Sequence, residues 1–252
     1  METPKVIIDG GKCAKVIVYY FGERRGAANN CLIIELLPEI IKNEIEIDNG
    51  YPTDTFFVIN KSDTLDDNLL DKYDGIKTKN GKIRISKRNN IGMSFGGYID
   101  TFKYYKNEYD YWMFLEDDVI VYKNNYINFF IAELELSEAT FISLAPISDY
   151  PTTHCGGGCG LTSKHYMEKT YTNEFIDSKL NEWSKYKGYD VASGALGKSN
   201  AEVDFSSYFK LKNHSHFNAM AKNWKTHSMQ NTNRFKQSQD STNESIYKVG
   251  KD

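Results

Sequence analysis

The chain has 252 residues, 40% of them hydrophobic and 14% aromatic, with a formal net charge of −3 and a pI near 6.0. That length and apolar content suffice for a substantial core in one domain, and the mild acidity argues against a dedicated nucleic-acid binder. Four cysteines (Cys13, Cys31, Cys155 and Cys159) are too few for a disulfide framework. Together with a polar start that does not resemble a signal peptide and no run of about 18 apolar residues, they give the expectation of a reducing, cytoplasmic setting without a transmembrane segment.

Lys15 to Phe21 is a β-branched and aromatic run closed by Gly22, the pattern of a buried first strand. Glu23-Arg24-Arg25-Gly26 follows at its carboxyl end, the edge where open parallel sheets bind ligands, so Arg24 and Arg25 are candidates for nucleotide or phosphate contact. The competing reading is a plain solvated turn. From Ala27 to Ile45 the apolar residues keep helical spacing, with Pro38 expected to kink or split the helix. Thr55 to Asn60 reads as a second strand, and Ser62 or Asp63 as the cap of a short helix reaching about Tyr73.

A turn at Asn80-Gly81 leads into a third strand, Lys82 to Ser86. The surrounding Lys77, Lys79, Lys82, Arg84, Lys87 and Arg88 form the most basic stretch, in keeping with a wetted sheet edge. Arg88 differs in standing at the strand's exit, before Asn89-Asn90-Ile91-Gly92. A helix capped by Ser94 is predicted next, with Gly96 and Gly97 in its first turn permitting close backbone approach.

Tyr111 to Leu115 is then a continuous apolar run, too short for a helix, which leads directly into Glu116, Asp117 and Asp118. Three adjacent carboxylates cannot be buried without a large desolvation cost, so a positive partner is expected at the strand's end. Oxygen ligands from one or two carboxylates suit Mn²⁺ or Mg²⁺ better than zinc. Side chains alternate along an extended segment, so Glu116 and Asp118 point one way and Asp117 the other. The bland alternative, an acidic surface loop, is disfavoured by the apolar strand before the acids and by Val119 to Val121 after them.

Helix Tyr126 to Leu136 and strand Thr140 to Ala145 follow, then a glycine-rich stretch, His154-Cys-Gly-Gly-Gly-Cys-Gly-Leu-Thr-Ser163. Its consecutive glycines Gly156, Gly157 and Gly158 would let backbone lie against a sugar or phosphate. Cys155 and Cys159 read as packing residues, because a full zinc ligand set at the usual spacing is missing. Ser163 is expected to cap a helix through Thr170, and Phe175 to Tyr186 to form another. Gly188 to Asn200 has the composition of a mobile lid, and Ala201-Glu202-Val203-Asp204-Phe205-Ser206 opens a last helix with Phe205 and Phe209 inward. The predicted organisation is one domain over 1–235 and a polar tail over 236–252.

The alternation of strands and helices predicts an α/β protein with a mostly parallel, Rossmann-like sheet flanked by helices. In this order, over residues 15 to about 215, the first strand and its charged turn, Arg88-Asn89-Asn90-Ile91-Gly92, Glu116-Asp117-Asp118, the triple glycine and the acidic start at Glu202 resemble the nucleotide-sugar glycosyltransferases of the GT-A fold, especially the large inverting family that includes rhamnosyltransferases. The resemblance implies Asp118 as direct metal ligand, Glu116 near the ribose or the metal's waters, and a late histidine in the metal shell. For that last place His214, His216 and His227 are available, and His216 is carried forward. It further implies Asp63 at the base, Arg24, Arg88 and Asp117 around the nucleotide, and Gly156 to Gly158 near sugar or acceptor.

Inverting transfer needs a carboxylate to take the acceptor hydroxyl's proton. The family pattern places Glu202 there, with Asp204 in reserve and Ala201 where a partner acid usually stands. The implied partners are a UDP-, GDP- or dTDP-linked sugar and a glycan or other hydroxyl acceptor. Rival readings are a nucleotidyltransferase, a sugar- or nucleotide-binding module that has lost catalysis, and a haloacid-dehalogenase-type phosphatase, whose acids would follow the first strand.

Overall fold

The computed structural model describes residues 11–20, 33–61, 68–117, 119–144, 147–148, 153–155, 158–185, 201–213 and 221–223. In chain order these form β1 (Cys13–Tyr20), α1 (Ile33–Glu46), β2 (Thr53–Asn60), β3 (Ile83–Arg88), α2 (Met93–Tyr105), β4 (Tyr111–Glu116), β5 (Val119–Val121) and α3 (Tyr126–Glu135). There follow β6 (Phe141–Ser143), β7 (Ile147–Ser148), β8 (His154–Cys155), β9 (Gly160–Ser163), α4 (Lys164–Thr170), α5 (Asn173–Trp183), α6 (Ala201–Ser206), β10 (Leu211–Asn213) and β11 (Ala221–Asn223). The predicted tail, 236–252, and the predicted lid lie outside the described residues.

One seven-stranded sheet runs in the order β10-β6-β9-β4-β1-β2-β3. β3, β2, β1 and β4 pair parallel, as the alternating pattern predicts, and all eight residues of β2 are buried because helices cover both faces. β9 alone runs antiparallel, wedged between β4 and β6. The sequence gives no strand signal there, since Gly160-Leu-Thr-Ser163 continues a glycine-rich stretch. Gly160 is nevertheless required: a Cβ at this position would lie 2.0 Å from the Phe141 ring. The small ribbons β5–β11 and β7–β8 complete the β-structure described.

Alternation along β1 divides the core. Cys13, Ile17 and Tyr19 pack with Leu37, Ile40 and Ile41 of α1 and with Ile127, Phe130 and Ile131 of α3. Ala14, Val16 and Val18 face Tyr98, Ile99 and Phe102 of α2, Ile176 and Trp183 of α5, and Phe205. Within the first face Lys15 is fully buried, and its ammonium donates to Glu44 of α1 and, at 2.7 Å, to the Tyr126 hydroxyl.

Three local expectations change. Of the kink or split expected at Pro38, the split does not occur: α1 runs through it with Leu37, Ile40 and Ile41 held on the sheet. Of the short helix expected to reach Tyr73, residues 62–67 lie outside the described ones, and the described end is a 3₁₀ turn, Asp71–Tyr73. Gly92, not Ser94, caps α2: its φ of 73° is one glycine adopts freely, and Trp183 packs where a Cβ would stand, 2.5 Å from the indole ring. Gly97 sits so close to β1 that a Cβ would fall 2.6 Å from Val18, the close approach that the paired glycines predict. Ser163 and Thr172 cap α4 and α5 with their side chains.

Candidate active site

The parallel strands end side by side. Val18 pairs with Glu116, Tyr20 with Asn60 and Asn60 with Arg88, so the carboxyl ends of β1 to β4 form one edge. Such an edge is where open α/β sheets gather ligand-binding groups. The first two acids after the apolar run have different surroundings: Glu116 is half-buried and Asp117 is wholly buried with interactions of its own.

Phe205 of α6 ties this edge to the other two predicted segments. Its ring lies 5.2 Å from Phe114 of β4 and 5.3 Å from Tyr98 of α2, centroid to centroid. It also covers Gly158, whose φ is +62° and where a Cβ would stand 2.7 Å from the Phe205 ring. Beside it the Ser206 hydroxyl accepts the Cys155 backbone N–H at 2.8 Å. The strand bearing Glu116, Gly158 and the helix bearing Glu202 and Asp204 therefore meet in one corner. Gly158→Ala should cost about 1–3 kcal/mol by overpacking plus backbone strain, read as a lower denaturant midpoint at unchanged slope.

Tyr98 is a member of this corner that the sequence does not single out, because it fits the apolar stripe of α2. It is fully buried, and among the described residues its hydroxyl has no hydrogen-bond partner. Burial, then the proximity of Cys159, Glu116 and Asp117, pushes the phenol well above its ordinary pKa, so it stays protonated as a donor. No sequence signal separates it from its apolar neighbours.

Arg88 is committed to the scaffold. Its guanidinium donates to Asp100 at 3.1 Å, to the Asn60 side chain at 2.7 Å and to the Ile91 carbonyl at 2.9 Å. Asn60 in turn donates to the Met93 carbonyl, so the pair fastens the ends of β2 and β3 to the start of α2. Asp204 points to α5, where Lys179 donates to its carboxylate at 2.9 Å. Glu202 lies in the first turn of α6. Arg24, Asp63, Asp118, Gly156, Gly157 and His216 lie outside the described residues.

Cys155 and Cys159 are buried free thiols, as packing residues would be: Ser143 donates to the Cys155 sulfur, which lies 3.0 Å from the Cys159 carbonyl. Among the described residues no three His, Cys, Asp or Glu side chains cluster as metal ligands. A polar depression of about 420 Å³ lies at the opposite end of β4, beside Asp110, Tyr111 and His165, away from this corner.

No family model and no curated protein matches the chain. Among solved structures it is similar to S. aureus TarS, residues 1–349, at 10% identity and a TM-score of 0.41, covering 81% of this chain. The chain spans 58% of the length of that TarS structure. HddC from Yersinia pseudotuberculosis matches at 13% identity and a TM-score of 0.40, over 69% of this chain and 87% of that one. The 4-diphosphocytidyl-2C-methyl-D-erythritol synthase from Anaerococcus prevotii matches at 14% and 0.37, over 82% and 89%. At such identities and scores the likeness assigns no family; the α/β Rossmann-like architecture rests on the chain's own seven-stranded sheet and its flanking helices.

Proposed function

We propose that the chain is a metal-dependent glycosyltransferase that moves a sugar from a nucleoside-diphosphate sugar to an acceptor hydroxyl with inversion. The observation that supports the reading is the convergence on Phe205 of the Glu116 strand, Gly158 and the helix of Glu202. Segments more than forty residues apart in sequence meet there at the ligand edge of the sheet.

In this reading the acceptor oxygen bonds to the anomeric carbon, the bond from that carbon to the diphosphate breaks, and Glu202 takes the hydroxyl proton. Asp204 is the weaker candidate for base, since its carboxylate is engaged by Lys179. Glu116 and Asp118, with His216, would hold Mn²⁺ or Mg²⁺. Hard carboxylate oxygens fit such an ion, which keeps waters and needs few protein ligands. Bound there, it would neutralise charge on the departing diphosphate. Arg24 and Asp63 would bound the nucleotide and Gly156 and Gly157 would receive the sugar or acceptor, whereas Asp117 and Gly158, both buried, and Arg88 hold the corner in place.

The test is a panel of UDP-, GDP- and dTDP-sugars, each with Mn²⁺, read by thermal unfolding and by release of nucleoside diphosphate. A true donor at about 100 times its Kd stabilises the fold by about 2.7 kcal/mol. No shift with any member would refute the assignment, and synthesis of a nucleotide sugar from a nucleoside triphosphate and a sugar phosphate would replace it with nucleotidyl transfer. With the donor known, Glu202→Gln should lower turnover by about 10²-fold or more, whereas Asp204→Asn should leave it within a few-fold. The reverse ranking would exchange the two roles.

A further inference from the structure

The basic stretch has a feature that a plain wetted edge does not explain. Residues 72–88 carry seven cations and a single carboxylate, Asp74, a net of +6 that leaves −9 for the remainder of a chain whose total is −3. Three of these cations are matched by carboxylates: Arg84 by Glu108, Lys87 by Asp71 and Arg88 by Asp100. The other four, Lys72, Lys77, Lys79 and Lys82, are exposed, and none has a carboxylate within ion-pairing distance among the described residues. Asp48 spends its carboxylate on the Gly50 N–H and the Asn80 side chain.

Their arrangement is unfavourable for the fold by itself. The segment before β3 is a tight hairpin, closed by Thr78 N–H to the Gly81 carbonyl and Ile83 N–H to the Ile76 carbonyl. Lys77 and Lys82 stand directly opposite each other across its antiparallel bridge. Like charges in that position are destabilising, and one of the pair would suffice to keep the edge from pairing. A local choice that works against stability points to a use for the charge. Beside the lysines, Leu69 is exposed, and Tyr73 and Ile76 are only partly buried.

We propose that this hairpin and the turn before it, Leu69 to Lys82, dock the protein on an anionic lipid surface. Exposed lysines spread along a hairpin and the turn before it suit a diffuse field of headgroup charge better than one bound anion, and the neighbouring apolar side chains suit the headgroup boundary. The strongly negative remainder of the chain would be repelled by the same surface, so attraction confined to one side fixes orientation. The inference is independent of the sugar-transfer reading, because neither its evidence nor its test uses the corner around Phe205.

The experiment is flotation of the full chain with vesicles of phosphatidylcholine alone or with about one third phosphatidylglycerol, at low and high salt. Binding should require the anionic lipid and weaken steeply with salt. Lys77→Gln/Lys79→Gln/Lys82→Gln should weaken it at least tenfold, since each lysine at such a surface is worth about fivefold. A control with the same charge change on α1, on α4 and just beyond α5, Lys42→Gln/Lys169→Gln/Lys185→Gln, should leave it within about twofold, as sites away from the contact do. Equal binding to both vesicles, no binding, equal weakening by both triple variants, or capture by soluble polyphosphate without vesicle binding would overturn the proposal.

Discussion

Replacing Glu44 by alanine should destabilise the protein by about 3–5 kcal/mol, the usual cost of removing one partner from a buried ion pair. Lys15 is wholly buried on β1, and Glu44 is 3% exposed on α1. The glutamate also accepts from the Thr55 hydroxyl at 3.0 Å, so both of its oxygens are engaged. Alanine would leave the ammonium in an apolar layer with the Tyr126 hydroxyl at 2.7 Å but no counter-charge. Chemical denaturation should show a lower midpoint at unchanged slope, and the melting temperature should fall by about 6–20 °C for a chain this long.

The companion variant separates charge from packing. Lys15→Met/Glu44→Leu/Thr55→Val/Tyr126→Phe replaces every polar member of the cluster by an apolar group of similar volume, and should regain most or all of the loss. Were the fourfold variant as unstable as Glu44→Ala, the site would depend on the shape of these side chains and the ion pair would not explain the cost.

This cluster also marks where sequence reading stops. The run Lys15 to Phe21 announces a buried strand, and the chain folds it as one, but nothing in that run says that its lysine points inward to Glu44. β1, β2 and β4 were legible because a parallel strand buried on both faces reads as a largely apolar run, whereas β3, of which only Ile83 is buried, was marked by the Asn80-Gly81 turn before it. β9 was not, because its four residues owe their extended form to open edges on β4 and β6 rather than to β-propensity. The corner was legible in part: the acids, the glycines and the acidic turn could be named from residue type and order. Phe205 could be read only as an inward residue of a helix, since its contacts with Phe114, Tyr98 and Gly158 are set by the packing of α6 against β4, α2 and the segment before β9.

The three consecutive acids should separate by substitution, and their surroundings suggest how. Asp117 is wholly buried and has interactions within the fold, so Asp117→Ala should cost stability, about 1–3 kcal/mol for partners left unsatisfied. Glu116 is only half-buried at the end of β4, and Glu116→Ala should leave the unfolding midpoint nearly unchanged. If the sugar-transfer reading is right, the activity ranking runs differently. Asp118→Ala should lower transfer by about a thousandfold or more, because a direct ligand contributes several kcal/mol of charge stabilisation through the ion it holds. Glu116→Ala, acting through the ribose or the ion's waters, should lose about 10- to 100-fold. Stability then follows Asp117 while turnover follows Asp118, a crossing that a solvated acidic loop would not produce. Wild-type turnover in Asp118→Ala would remove the metal assignment, and Asp117→Ala with full stability but no activity would move the chemistry one residue back along the chain.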